Sequence, residues 1–455
     1  VRTLRRDLRT AWLLTRGSDR REWWRIGLTA VGAMLATGIG AAVVALNSLD
    51  GYYSVSFGAG LLNSAGDRRN VSVVLALLLI PVLGFVGQCA RLGAVHRDRR
   101  LAALRLAGAD PGQVRRIAAL ESGPACLAGS AVTTALYAPL LLRLWERPPA
   151  LVWAGVGLVA VAVPVLGAAV SALSLRRVVA SPLGWVRRTR PVWGPGRTLR
   201  VVTVLLGVTA LLVVVWSFTG GPVEVALGPA ALFAVVLVVG CATVSLAGTA
   251  ARRLGGVLAA RAQSPAVLIA AERLRDDPWA AARTHAAVLL VTVVGSGFVG
   301  VRQVLLAVLR DRRREGTLAA DVEYYTTGID LTAAAILVAL ALVLTGLAVG
   351  TVESLATRRR GLAAQVAAGV PHRVLARALL LETALPLAPA IVLAGCGGMA
   401  ISAWYASPAA RHTPTALPYD ALLVPVAVYA ACLLAAATSL PLLRRSLRPA
   451  ELRHT

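Results

Sequence analysis

Long uncharged apolar runs constrain this chain more than any other feature. Val71–Val86, Val201–Phe218 and Val225–Ala247 carry no charged residue. In hydrocarbon every backbone N–H and C=O must find its partner inside the protein, so runs of this length fold as spanning helices. A mean hydropathy of +0.71 and 57% hydrophobic residues exclude an ordinary soluble globule. The pattern predicts an all-α polytopic membrane protein. Ten spans are expected, near residues 26–47, 71–90, 118–142, 150–174, 201–218, 225–247, 286–308, 331–352, 378–403 and 420–443. The opening VRTLRRDLRTAWLL interleaves Arg with its apolar residues and does not read as a signal peptide.

Charge supplies the orientation. The chain has no lysine, so all 47 basic residues are arginine, and the formal charge is +25. On alternate sides of the ten spans, 37 arginines fall on the side of both termini and nine on the other, with Arg302 inside a span. This positive-inside asymmetry predicts cytoplasmic termini and contact with anionic lipid, rather than nucleic-acid binding. The cluster Arg310–Arg314 falls on the arginine-poor side. It predicts either an acid-binding loop or a span that ends earlier than drawn. Arg, Ala, Val and Gly are abundant and Lys is absent, as in high-GC bacterial genomes, so the expected location is a bacterial plasma membrane.

The chain also repeats itself. Arg97–Glu121 reads RDRRLAALRLAGADPGQVRRIAALE, and Arg358–Glu382, 261 residues on, reads RRRGLAAQVAAGVPHRVLARALLLE. Aligned without a gap, ten of 25 positions are identical, against roughly two or three expected by chance. The matches include Arg97/Arg358, Leu101/Leu362, Ala107/Ala368, Gly108/Gly369 and Glu121/Glu382. Each copy lies on the arginine-rich side between two spans. The unit ends also match, LRRVVASPLGWVRR (175–188) with LRRSLRPAELRHT (443–455). The organisation is therefore four spans (1–200), two spans (201–262) and four spans (263–455), with Gly194-Pro195-Gly196 as a linker. Amphipathic stretches precede each unit: Leu4, Leu8, Ala11 and Trp12 share one face, as do Val267, Ala270, Ala271 and Leu274. Both are expected in the headgroup plane, with Trp23, Trp24 and Trp279 in an interfacial belt.

Inside the repeat, Leu101, Leu104 and Ala107 line one helical face. Gly108 can end that helix with a left-handed cap, and Asp110 can cap the next, with Pro111 at its first position. The second copy keeps Leu362 and Gly369 and shifts its proline to Pro371. Glu121 and Glu382 stand at equivalent span entrances. They are candidate latches between the short helix and the span, or else shallow carboxylates facing a headgroup or Arg.

Basic residues followed by Leu-Ala-x-Leu-Arg-x-x-Gly-Ala, then Gln-Val, an apolar stretch and Glu, resemble the cytoplasmic loop of FtsX-like (MacB-like) permeases of ABC transporters. AAERLRDDPWAAAR (270–283) resembles that family's pre-span segment, and Pro449-Ala450-Glu451-Leu452-Arg453 resembles its C-terminal end. Two four-helix units around a central pair are similar to the ten-span bacitracin-efflux type. The resemblance implies that two copies of a separate ABC ATPase, which bind ATP and Mg, dock on the two coupling helices. By position, Leu101, Leu104, Arg105 and Gly108 would meet one ATPase, and Leu362, Ala363, Val366 and Gly369 the other. It further implies export or extraction of an amphipathic lipid, peptide or antibiotic, or alternatively ATPase-coupled control of a cell-wall hydrolase. Unlike the family, this chain has short extracytoplasmic loops, 48–70 and 310–330.

No catalytic constellation is legible. A phosphate-binding Walker loop and Schiff-base chemistry both need lysine, which is absent. The five histidines are scattered, and the five cysteines have no ligand-like spacing. The chain is expected to bind no cofactor or metal of its own. The absence of a buried carboxylate or histidine series disfavours a secondary, proton-coupled transporter.

Overall fold

The computed structural model describes residues 20–53, 59–91, 106–145, 147–174, 228–318, 321–410 and 418–441. Among these the chain is helical throughout, with no strand. The helices are α1 (Arg20–Asn47), α2 (Ala65–Arg91), α3 (Pro111–Leu144), α4 (Ala150–Ser174), α5 (Gly228–Arg261) and α6 (Pro265–Asp276). They continue with α7 (Pro278–Glu315), α8 (Val322–Thr357), α9 (Arg359–Ala367), α10 (His372–Ala410), a 3-10 turn (Tyr419–Leu422) and α11 (Leu423–Ala437). Eight are long and apolar enough to cross a membrane: α1, α3, α4, α5, α7, α8, α10, and the 3-10 turn continued by α11. The protein is a multi-pass membrane protein. Helix α2 covers the span expected near 71–90. The span expected at 201–218 lies outside the described residues, as do the N-terminal amphipathic stretch and the linker at Gly194-Pro195-Gly196.

The chain forms two compact units, residues 1–53 with 63–190, and 54–62 with 191–455. Each unit has the same internal pairing. In the first, α1 packs on α2, α3 and α4, α3 packs on α4, and α2 touches α4. In the second, α7 packs on α8, α10 and α11, α10 packs on α11, and α8 touches α11. The second unit adds α5, which packs on α7 and α10, and α6, which packs on α5 and α10. The helix that precedes the second repeat is thus part of its packed body.

Close backbone approach fixes the crossing of the first and third helices in each unit. A Cβ at Gly129 of α3 would overlap the carbonyl oxygen of Ala30 on α1. A Cβ at Gly398 of α10 would stand 2.6 Å from the Val293 carbonyl oxygen and 2.6 Å from Ser296 Cβ, both on α7. Lipid tails are as apolar as leucine, so helices in a membrane associate by such small-residue contacts and by polar bonds between helices. In the first unit, Thr133 Oγ1 donates to the Met34 carbonyl (3.1 Å), Tyr137 OH to Ala41 (3.2 Å), and Ser130 Oγ to Ala160 (2.8 Å).

Two expectations change on the structure. Trp279 is buried at 7% exposure against Gly248 of α5, instead of joining an interfacial belt, whereas Trp23 and Trp24 are exposed. The apolar face of α6 (Ala266, Ala270, Ala271, Leu274) is buried against its own unit's helices, so protein takes the place of headgroups beneath it. The Arg310–Arg314 cluster gains a local explanation. Helix α7 runs unbroken to Glu315, 38 residues or about 57 Å, well beyond roughly 30 Å of hydrocarbon. Arg312, Arg313 and Arg314 occupy its last turn, where cations offset the negative end of the helix dipole. Gly316 then closes it at φ +69, with Thr317 N–H donating to Arg312 O at 3.0 Å.

Arg68, in the first turns of α2, is almost fully buried at 1% exposure. Its guanidinium donates to the carbonyls of Leu49 (2.8 Å), Gly51 (2.7 Å) and Asn63 (2.9 Å) and lies over the Tyr53 ring. It organises the α1–α2 connection by giving three turn carbonyls one charged donor.

Gly129→Val and Gly398→Val are expected to destabilise the protein by about 3 kcal/mol or more. Gly157→Val, where a Cβ meets nothing within 4 Å, should be neutral. Thermal unfolding in detergent reads the contrast. Arg68→Ala should lower the unfolding temperature too, because hydrogen bonds to charged groups contribute about 1.5–3 kcal/mol each before the loop relaxes.

Candidate functional site: the elbow at the arginine-rich end of the second unit

Helix α8 ends at Thr357 and α9 begins at Arg359, so Arg358 alone joins them, at φ −100 and ψ 6. No loop intervenes. The chain bends at one residue into a nine-residue helix and leaves it through Gly369. Gly369 has φ +88, in the left-handed region that costs an L-residue about 1–2 kcal/mol. Val370 N–H donates to Gln365 O (3.0 Å) and Gly369 N–H to Val366 O (2.9 Å), the bonding of a Schellman stop. Pro371 follows, and its carbonyl accepts from Val374 N–H (3.0 Å) as α10 starts. In the first repeat Gly108 has φ +95, Asp110 accepts from Gly112 N–H (2.9 Å), and Pro111 is the first residue of α3. The stop glycine is therefore present in both units, while the side-chain cap is seen at Asp110 in the first.

The faces of α9 divide cleanly. Leu362 and Ala363 are 5% and 3% exposed, and Leu362 packs with Leu355 of α8 and Leu375 of α10. Val366, Val370, Ile269 and Leu379 close over that cluster. Of the residues expected to meet another protein, Leu362 and Ala363 are buried within their own unit and Val366 is half-buried. A short helix needs tertiary burial to be stable, and these residues supply it by anchoring α9 to its own unit. Among the described side chains of α9 and its exit, the exposed positions are Gly361, Ala364, Ala367, Ala368 and Gly369, all small. Arg358, Arg373 and Arg377 are exposed beside them. Of the expected residues in the first unit, Leu101, Leu104 and Arg105 lie outside the described residues, and Gly108 is exposed.

Glu382, in the third turn of α10, has its carboxylate 16% exposed and both oxygens engaged. Oε1 accepts from Arg358 Nη1 at 2.7 Å, and Oε2 accepts from Arg273 Nη1 of α6 at 2.6 Å. Charge-assisted bonds of this length are among the strong polar contacts in proteins. The second ion pair on α6, Arg275 with Glu272 at 2.8 Å, is about half exposed on both sides and within one helix, so it is worth little. Glu121 lies on α3 at the matching position, with its side chain outside the described set. Arg358 was marked by its identity with Arg97. Arg273 carried no local signal beyond its place in the pre-span segment, since pairing across 109 residues is invisible in sequence.

Elsewhere, Arg302 is exposed on α7 and Glu353 is half-buried on α8. Among the described residues no three His, Cys, Asp or Glu side chains gather as a metal site, and all five cysteines are unpaired. Comparison of the chain with protein-family models, curated proteins and solved structures gives no match.

The geometry predicts an accessibility pattern. In a chain freed of its natural cysteines, Ala364→Cys and Ala367→Cys should react with a maleimide in detergent, and Leu375→Cys should not. Gly369→Ala should lower stability by about 1–2 kcal/mol, because its φ lies in the left-handed region.

Proposed function

We propose that the chain is the membrane-spanning permease of an ABC transporter. Separate ATPase subunits hydrolyse ATP, and the permease couples that work to export or extraction of an amphipathic lipid, peptide or antibiotic. One observation carries the reading. In both repeats, a basic segment between spans turns through a left-handed glycine, Gly108 or Gly369, directly before a helix that enters the bilayer. The sequence resemblance to FtsX-like permeases rests on those same segments. A short helix rigidly joined to two long spans can transmit a push from a soluble partner, whereas a slack loop would absorb it.

The docking face follows from burial. Ala364, Ala367, Ala368 and Gly369 on the second unit would enter a cleft of the ATPase, with Arg358, Arg373 and Arg377 meeting acidic groups at its rim. Small side chains allow close approach, and exposed arginines steer encounter more than they add affinity. The chain contributes no phosphate-binding lysine, so ATP and Mg belong to the partner. Two such segments per chain support two ATPase copies per permease. The arginine asymmetry supports a plasma-membrane placement with both segments cytoplasmic.

Co-purification with the ATPase encoded beside this gene tests the proposal. Wild type should retain the ATPase, and Gly108→Pro with Gly369→Pro should lose it, because proline cannot adopt positive φ. A folded wild type that retains no ATPase, or a folded double variant that retains it equally, would remove the assignment.

A further inference from the structure

We propose that Glu382 is the joint that makes the α8–α9 elbow, the amphipathic helix α6 and the span α5 move as one body. The inference rests on the ABC reading only for the source of the force. The joint itself is a property of the free chain.

Arg358 is the one residue between α8 and α9, so its backbone sets the angle of the short helix to the span. Across the bend the backbone is tied only locally, Arg358 N–H donating to Leu355 O at 3.3 Å and Arg358 O accepting from Leu362 N–H at 3.0 Å, so contacts to other helices add to what fixes its angle. Leu362 and Leu375 hold it from the apolar side, but apolar contacts are non-directional and permit sliding. The guanidinium of Arg358 is held directionally by Glu382 at 2.7 Å. Glu382 sits on α10, the helix crossed most closely by α7 through Gly398, and is therefore anchored to the centre of its unit.

The other carboxylate oxygen reaches α6. Arg273 is half-buried on α6 and binds Oε2 at 2.6 Å. Helix α6 is in turn seated on α5 backbone to backbone. A Cβ at Gly255 would lie 3.0 Å from the Ala271 carbonyl oxygen and 3.1 Å from Arg275 N. Displacement of α9 about Arg358 thus reaches α6 directionally through one carboxylate, beside the non-directional apolar contact of Ile269 with the Leu362 cluster, and reaches α5 through the Gly255 contact. With both oxygens occupied, the Glu382 carboxylate cannot turn toward one arginine without leaving the other. That property distinguishes a joint from two independent anchors.

The same helices also carry Arg373 and Arg377 on α10, Glu353 on α8 and Glu272 with Arg275 on α6. Glu272 is satisfied by Arg275 on the outer side of α6, which leaves Arg273 for Glu382. The repeat carries the same residues at the joint, Arg97 with Arg358 and Glu121 with Glu382. Arg97 lies outside the described residues.

Hydrogen–deuterium exchange of the whole chain in lipid nanodiscs tests the joint without any partner. Glu382→Gln should raise exchange about tenfold in both 265–276 and 358–370, with protection of α7 near Gly297 unchanged. The sharper variant is Arg273→Gln, which removes one partner of Glu382 and changes no residue of α8, α9 or α10. A joint predicts faster exchange at 358–370 as well as in α6, and restoration of both by Arg273→Lys in part. A change confined to α6 would overturn the proposal, as would a Glu382→Gln protein whose α9 exchange equals wild type. Adding the neighbouring ATPase should then alter exchange in α6 of wild type and not of Arg273→Gln. An equal response of α6 in both would overturn the joint, whereas an ATPase that binds neither protein counts against the functional reading alone and leaves the free-chain result to decide the joint.

Discussion

Everything in this protein depends on the first and third helix of each unit touching through their backbones. Gly129 against Ala30, and Gly398 against Val293 and Ser296, leave no room for a side chain. In hydrocarbon there is no hydrophobic gain from bringing two apolar helices together, so contact at van der Waals distance, supplemented by hydroxyl-to-carbonyl bonds, must hold the pair. Once that crossing is fixed, the second and fourth helices are placed by their loops and by the remaining faces of the pair. The same pairing then arises in both units although few residues at the crossings match between them.

A rigid crossing also gives the arginine-rich end something to push against. Helix α10 carries Gly398 deep in the unit and Glu382 nearer its start, sixteen residues or about 24 Å away along the axis. The elbow at Arg358 is tied to the entrance of the helix that crosses α7 at Gly398. Its inward face, Leu362 and Ala363, is core, and the exposed positions among its described side chains are small. On the proposed function, this arrangement would carry force from a soluble partner through a short lever to the bundle. Helices α5 and α6 extend that body, since Gly255 and Gly248 bring α5 close to Ala271 and Trp279.

Sequence made some of this legible and hid the rest for physical reasons. Uncharged runs specify spanning helices because the solvent leaves no alternative, and eight of the ten expected spans fall on described helices long and apolar enough to cross a membrane, the run at 71–90 forming a helix outside that set. Gly108, Asp110 and Pro111 were readable as a stop and a cap because such motifs are local. The face of α9 was not readable. In a nine-residue helix of Ala, Leu and Gly, either side could be core, and only Leu355 and Leu375 from other helices decide it. Arg68 looked like one more loop arginine, yet it is a buried clamp, because its three acceptors are backbone carbonyls that composition cannot show. Trp279 fitted an interfacial belt by type, but Gly248 opened a socket for it on α5.

The account's central claim is that one chain offers two equivalent docking helices to two ATPase subunits. Ala107 and Ala368 are identical in the repeat alignment, precede the two stop glycines and are both exposed. A photo-crosslinking residue placed at each position in turn, in cells expressing the neighbouring ATPase, tests the claim most directly. The account predicts a permease–ATPase adduct from both positions and none from Leu375. Adducts from neither position, or from one alone, would contradict it.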